Sequence, residues 1–196
     1  MLKALTIAES EEFLRQRSAE VDLSDPELLQ NIEDLREYTI NNKVYAMAAV
    51  QLGIPKRIVF IKNVTPMLGQ AVAEELHIVM INPVILESRG RTEFWEACRS
   101  GLGNIGLVER PYEILLRYTD INGAEKTERF RGFASTVISH ELDHLDGIFH
   151  MDRAKDLVYI DSNASDFEEK KAEIRAKNSY NIISKDCEFG YEDNMK

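Results

Sequence analysis

Ser139-His140-Glu141-Leu142-Asp143-His144-Leu145-Asp146-Gly147-Ile148-Phe149-His150 is the stretch from which the rest of the chain is read. His140 and His144 stand one helical turn apart, a spacing that puts both imidazoles on one face of an α-helix, where they can grip a single metal ion. Glu141 follows the first histidine directly, so it leans beside such a metal rather than onto it. That is where a general base for a metal-bound water should sit. Val137, Ile138, Leu142, Leu145 and Ile148 are expected to bury the helix, and Gly147 to cap its C-terminus. Two surface histidines on an ordinary helix are the plainer reading. Against it, three of the chain's four histidines fall inside this one stretch.

Outward from there, 196 residues suffice for one domain with a real core, and 44% hydrophobic with 30% charged residues is ordinary for a globular protein. No apolar run approaches the roughly 20 residues that span a bilayer, and the N-terminus turns acidic too early for a signal peptide. No membrane partner and a cytoplasmic location are therefore expected. A net charge of −10 argues against a broad nucleic-acid-binding surface, which needs clustered Lys and Arg. Cys98 and Cys187 lie far apart, and a metal or catalytic role for one of them is a better expectation than a disulfide.

The chain in order predicts helices at both ends and strands between, the order of an α+β fold. A charged helix is expected over residues 9–20. A second starts near Ser24, read as its N-cap with Glu27 closing a capping box, and runs to about Asn41. Residues 44–51 are small and end in an amide, and 57–61 read as a buried strand. Strand material follows over 76–87, interrupted at Asn82-Pro83, then over 92–100 and 114–118. Asp120-Ile121-Asn122-Gly123 supplies the turn of a hairpin that continues over 126–130. After the histidine helix, a solvated helix is expected within 162–178, with 179–196 a frayed polar tail. Nothing marks a domain boundary, so 1–196 is read as a single domain.

Two imidazoles need a third ligand. Cys98 is the candidate, in Glu96-Ala97-Cys98-Arg99-Ser100 with Gly101 and Gly103 beside it. A buried, inert cysteine is the usual fate of this residue type. A thiolate with two imidazoles, however, leaves one tetrahedral position open for water, as a hydrolytic site requires.

Three stretches together resemble the peptide deformylase family. Its motif Gly-x-Gly-x-Ala-Ala-x-Gln is matched by Val44-Tyr45-Ala46-Met47-Ala48-Ala49-Val50-Gln51. Glu-Gly-Cys-Leu-Ser is matched by Glu96-Ala97-Cys98-Arg99-Ser100, and His-Glu-x-x-His-x-x-Gly by His140 to Gly147. Order and spacing agree, and the resemblance runs from about Ser24 to Asp152. Val44 and Ala46 replace both glycines of the first motif, while Ala97 and Arg99 replace Gly and Leu of the second. The metal-ligand and polar catalytic positions are retained, so the changes fall on the wall of the substrate groove.

The resemblance implies that Cys98, His140 and His144 hold one divalent ion. That ion is Fe2+ by family, although the ligand chemistry alone suits Zn2+ and the site could take Ni2+ or Co2+. It implies Glu141 as proton carrier, with the Gln51 side chain and the backbone N–H of Arg99 as donors to an oxyanion. The backbone of Ala46 would pair with the substrate, and Tyr45, Phe133, Thr136 and Val137 would line a methionine pocket. An ion pair of Glu96 with Arg110 is expected to brace the Cys98 segment, with an ordinary surface pair as the plainer alternative. The implied activity removes the formyl group from N-formylmethionyl nascent peptides, releasing formate, with the ribosome a further candidate partner. Two rivals remain: a hydrolase of the same fold acting on another N-formyl or N-acyl substrate, and a non-catalytic relative. Intact Glu141 and Gln51 speak against the second.

Overall fold

Nine strands, five α-helices and one 3-10 helix (Ala49–Leu52) make up the computed structural model, which describes residues 2–62, 77–177 and 181–185. Five strands form one antiparallel sheet in the order β1-β2-β3-β6-β7. These are β1 (Ala46–Ala48), β2 (Ile58–Ile61), β3 (Ile78–Arg89), β6 (Glu113–Thr119) and β7 (Glu125–Arg131). A second antiparallel sheet orders β8-β5-β4-β9, from β4 (Arg91–Ala97), β5 (Asn104–Arg110), β8 (Asp156–Tyr159) and β9 (Asn181–Ser184). The fold is α+β, as expected. Among the described residues no helix is long and apolar enough to cross a membrane.

The histidine helix α3 (Phe133–Leu145) touches β1, β2 and β7 of the first sheet and β5 of the second. Ile138, Leu142 and Leu145 are buried with Val59, Ile61, Leu116 and Phe149. Each such side chain contributes about 1.5–3 kcal/mol by leaving water, so the helix is fixed by its apolar face and the imidazoles are carried with it. Its C-terminus closes as the Gly147 reading requires. Gly147 has φ +72°, its N–H donates to His144 O, and Ile148 N–H donates to Asp143 O. A Cβ there would meet Arg15 O at 2.0 Å, so only glycine fits.

Helix α2 (Leu28–Asn41) buries Ile32, Leu35 and Tyr38 against Met47, Ile58 and Phe60. The capping box expected at Ser24 is not formed. Ser24 N–H and Oγ–H both donate to Asp22 Oδ1, while Asp25 Oδ1 accepts Glu27 N–H, so aspartate turns lead into the helix. Helix α1 (Ile7–Leu14) also stops short of the expected residue 20. Beyond Arg15 the backbone finds better partners in tertiary structure: Ser18 N–H donates to Leu145 O and Ala19 N–H to Pro55 O. Asn82, at φ +51°, bends β3 without ending it. Its side chain exchanges two hydrogen bonds with the Val21 backbone, and the register slips between Ile81 and Val84.

Helix α4 (His150–Arg153) follows α3, and α5 (Phe167–Lys177) lies in the stretch read as a solvated helix. Phe167 and Ile174 of α5 nevertheless pack, with Ala97, on Trp95, Ile105 and Ile160. Part of the polar tail is also ordered, since Asn181–Ser184 pair with Arg91–Glu93. The rest of that tail, with Cys187, lies outside the described residues.

Candidate active site

Strand β4 ends at Ala97, and the chain turns back at once, Gly101 N–H donating to Cys98 O. A Cβ on Gly101 would meet the His150 ring at 2.8 Å, so the turn is possible only because that residue has no side chain. The turn aims Cys98 at α3. Cys98 Sγ lies 3.1 Å from His144 Nε2, which lies 3.2 Å from His140 Nε2. All three donor atoms fall within 4.8 Å of one another. These separations approach the roughly 3.3–3.7 Å edge of a tetrahedron built on metal bonds of about 2.0–2.3 Å. The donor set therefore fits one small divalent ion.

Behind the donors lies a buried charge network. Arg110 makes a two-pronged pair with Glu96, Nε to Oε1 at 2.8 Å and Nη2 to Oε2 at 2.9 Å. Its Nη1 donates to Asp143, which also accepts two bonds from Arg153. Glu96 Oε2 in turn accepts from His140 Nδ1 at 2.7 Å. That bond fixes the ring and leaves Nε2 to face Cys98 and His144. Burial alone would raise the Glu96 carboxyl, but the bonds from Arg110 and His140 outweigh it and hold it at about 2. Burial pushes the His144 imidazole well down, which keeps it neutral and able to ligate.

Glu141 is buried, and its Oε2 has no hydrogen-bond partner among the described residues. Burial pushes its carboxyl up to about 7, against a smaller opposing pull from His140. A buried carboxylate oxygen left without a partner beside three metal-ligating atoms fits a site that holds water and a cation. Gln51 is anchored through Oε1, which accepts Ala48 N–H at 3.0 Å. Its Nε2 then reaches Ser100 Oγ at 3.1 Å and Cys98 Sγ at 3.5 Å.

These residues line one cleft of about 710 Å³. Tyr45, Ala46, Phe133, Thr136 and Val137 line it with Gln51, Cys98, Arg99, His140 and Glu141; His144 sits behind the wall, 1% exposed. Phe133 stands edge-on to both Tyr45 and Phe94, giving an apolar end. Arg99 is exposed, and its backbone N–H donates to no described residue.

Sequence reasoning did not find Asp143, Arg153 or His150. Asp143 shares α3 with His140, and its charge could have suggested a partner for Arg110. His150 Nε2 meets Asn104 O at 3.0 Å, and its ring stacks on His140 at 5.8 Å, contacts with no signature in sequence.

The family described as polypeptide deformylase matches residues 4–159. A curated peptide deformylase of Finegoldia magna is 37% identical over 152 residues, covering 76% of this chain and 88% of that protein. Among solved structures, a probable peptide deformylase from Synechococcus phage S-SSM7 superposes with a TM-score of 0.68 at 29% identity, covering 78% of this chain and 99% of the other. The Met-Ala-Ser-bound class I type b peptide deformylase of Acinetobacter baumannii gives 0.67 at 25%, covering 78% and 98%.

Proposed function

The chain belongs to the peptide deformylase family, and on that premise we propose how its own residues carry out the reaction. It is a hydrolase that removes the formyl group from the N-terminus of N-formylmethionyl peptides of newly made proteins, releasing formate. Cys98, His140 and His144 hold one divalent cation, Fe2+ by kinship, with Zn2+, Ni2+ or Co2+ compatible with the same donors. When bound, the cation supplies Lewis acidity, polarising a carbonyl and acidifying water.

Glu141 takes the proton of the attacking water and returns it to the amine nitrogen as the C–N bond breaks. A carboxyl raised to about 7 is matched to that exchange near neutral pH. As charge gathers on the formyl oxygen, the Gln51 amide and the backbone N–H of Arg99 donate to it. The anchored Gln51 and the unclaimed Arg99 N–H support these roles. Strand β1 is an edge of its sheet, so a peptide can add beside it through the backbone of Ala46. The methionine side chain then occupies the end lined by Tyr45, Phe133, Thr136 and Val137. The Met-Ala-Ser bound to the Acinetobacter relative supports a cleft of this kind. Nascent chains as substrates put the enzyme in the cytoplasm, beside the ribosome.

The observation that carries this reading is the convergence of three ligating atoms on a cleft that also holds a buried carboxylate oxygen, Glu141 Oε2, with no described partner. Anaerobically prepared protein of measured metal content should release formate from formyl-Met-Ala-Ser in proportion to bound metal. Metal-replete protein that releases none contradicts the reading.

A further inference from the structure

The rim of the cleft carries the opposite charge to the chain as a whole. Against a net −10, its charged lining residues away from the floor are the exposed Lys3, Lys43, Arg99 and Glu168 and the half-buried Lys171. Two of the cations are already matched. Lys3 pairs with Glu9 at 2.7 Å, and Lys171 pairs with Glu168 at 2.5 Å while lying over the Phe167 ring. Glu96 and Glu141, the other carboxylates of the lining, are buried at its floor. Lys43 and Arg99 remain, both exposed and neither ion-paired to any described residue.

Their positions in sequence bear on what they can read. Lys43 immediately precedes Val44-Tyr45-Ala46, the approach to the strand beside which a peptide would lie. Arg99 directly follows Cys98, one of the three candidate metal ligands, and lines the same cleft. Two unmatched cations at the mouth of the cleft attract negative charge on the part of the substrate that extends outward from the methionine.

We propose that Lys43 and Arg99 form a cationic rim that favours formyl peptides bearing a carboxylate side chain directly after the methionine. The proposal rests on the deformylase reading and names the substrates that this chain prefers within it. Both cations are exposed, so each contributes at most about fivefold, the factor equivalent to the top of the 0–1 kcal/mol range of such pairs. Screening over about 8 Å at physiological ionic strength makes the preference salt-sensitive.

The test compares kcat/KM of the metal-loaded protein for formyl-Met-Glu-Ser, formyl-Met-Gln-Ser and formyl-Met-Lys-Ser, at low and high salt. Arg99→Gln, Lys43→Asn and the double variant are measured alongside. Asparagine is chosen because Lys43 has φ +55°, a left-handed conformation that asparagine tolerates. Glu should be favoured over Gln by about two- to fivefold at low salt, and Gln over Lys in the same sense. Each single variant should reduce the ratios, and the double variant should bring them near one. Ratios that are equal in the unaltered protein, or unmoved by the double variant, overturn the rim. Calorimetry of Met-Glu-Ser and Met-Lys-Ser binding separates the two readings. Tighter binding of the Glu peptide without turnover of any formyl peptide overturns the deformylase reading and upholds the rim. Equal binding overturns the rim.

Discussion

The floor and the rim of this one cleft use charge under opposite conditions. At and behind the floor, Glu96 and Asp143 are withdrawn from water and bonded to Arg110 between them, and Glu96 is tied to His140. At the rim, Lys43 and Arg99 stand in solvent with no described partner. A buried charge must be matched or it is ruinous, so floor residues are interdependent and each substitution there should have large consequences. A solvated charge is weakly coupled to everything, so rim residues can change with little effect on the fold. The difference bears on Arg99, the one exposed charge among the departures from the family pattern. Val44, Ala46 and Ala97, the other departures, also line the cleft.

The sharpest way to break the contrast is Cys98→Ala. With two imidazoles left and no further donor in the cluster among the described residues, metal content and turnover should both fall close to zero. Elemental analysis showing unchanged metal removes the cysteine from the site. Glu141→Gln should keep the metal and fold but lower kcat by about 10²–10⁴. If that variant loses its metal instead, Glu141 is a ligand or a structural residue.

Glu96→Ala tests the network behind the ligands. It leaves Arg110 without its main partner and frees the His140 ring. We expect stability to fall by about 3–5 kcal/mol in denaturant unfolding, and metal affinity by about 10–100-fold. Glu96→Ala with wild-type stability would mean that floor and rim do not differ as argued. Smallest of all, Arg99→Gln should shift the unfolding midpoint by less than the equivalent of about 0.5 kcal/mol, as surface substitutions do.

The floor was largely legible in the sequence, because the spacing of His140 and His144 encodes their common face once the segment is helical. Cys98 was legible as a candidate through its place between tight-turning glycines. Less was legible where partners come from distant chain. Strand β5 was missed because Gly106 interrupts its apolar pattern. A Cβ at Gly106 would meet Ala154 at 2.8 Å, so the glycine records the close approach of α4, not a break in the strand. Strand β9 has almost no buried face, and only its pairing with β4 defines it. Ser24 misled because a serine before a glutamate fits both a helix cap and an aspartate turn, and the choice depended on Asp22. His150 and Arg153 reach the site only through α4, whose position is tertiary.

The central claim is that Cys98, His140 and His144 hold the single ion on which turnover depends. The direct test is anaerobic removal of metal with a chelator, followed by stepwise addition of Fe2+ while formate release from formyl-Met-Ala-Ser is followed. We predict that activity vanishes on removal and returns linearly, levelling at one equivalent per chain. Full activity in stripped protein, or recovery that continues well beyond one equivalent, contradicts the account.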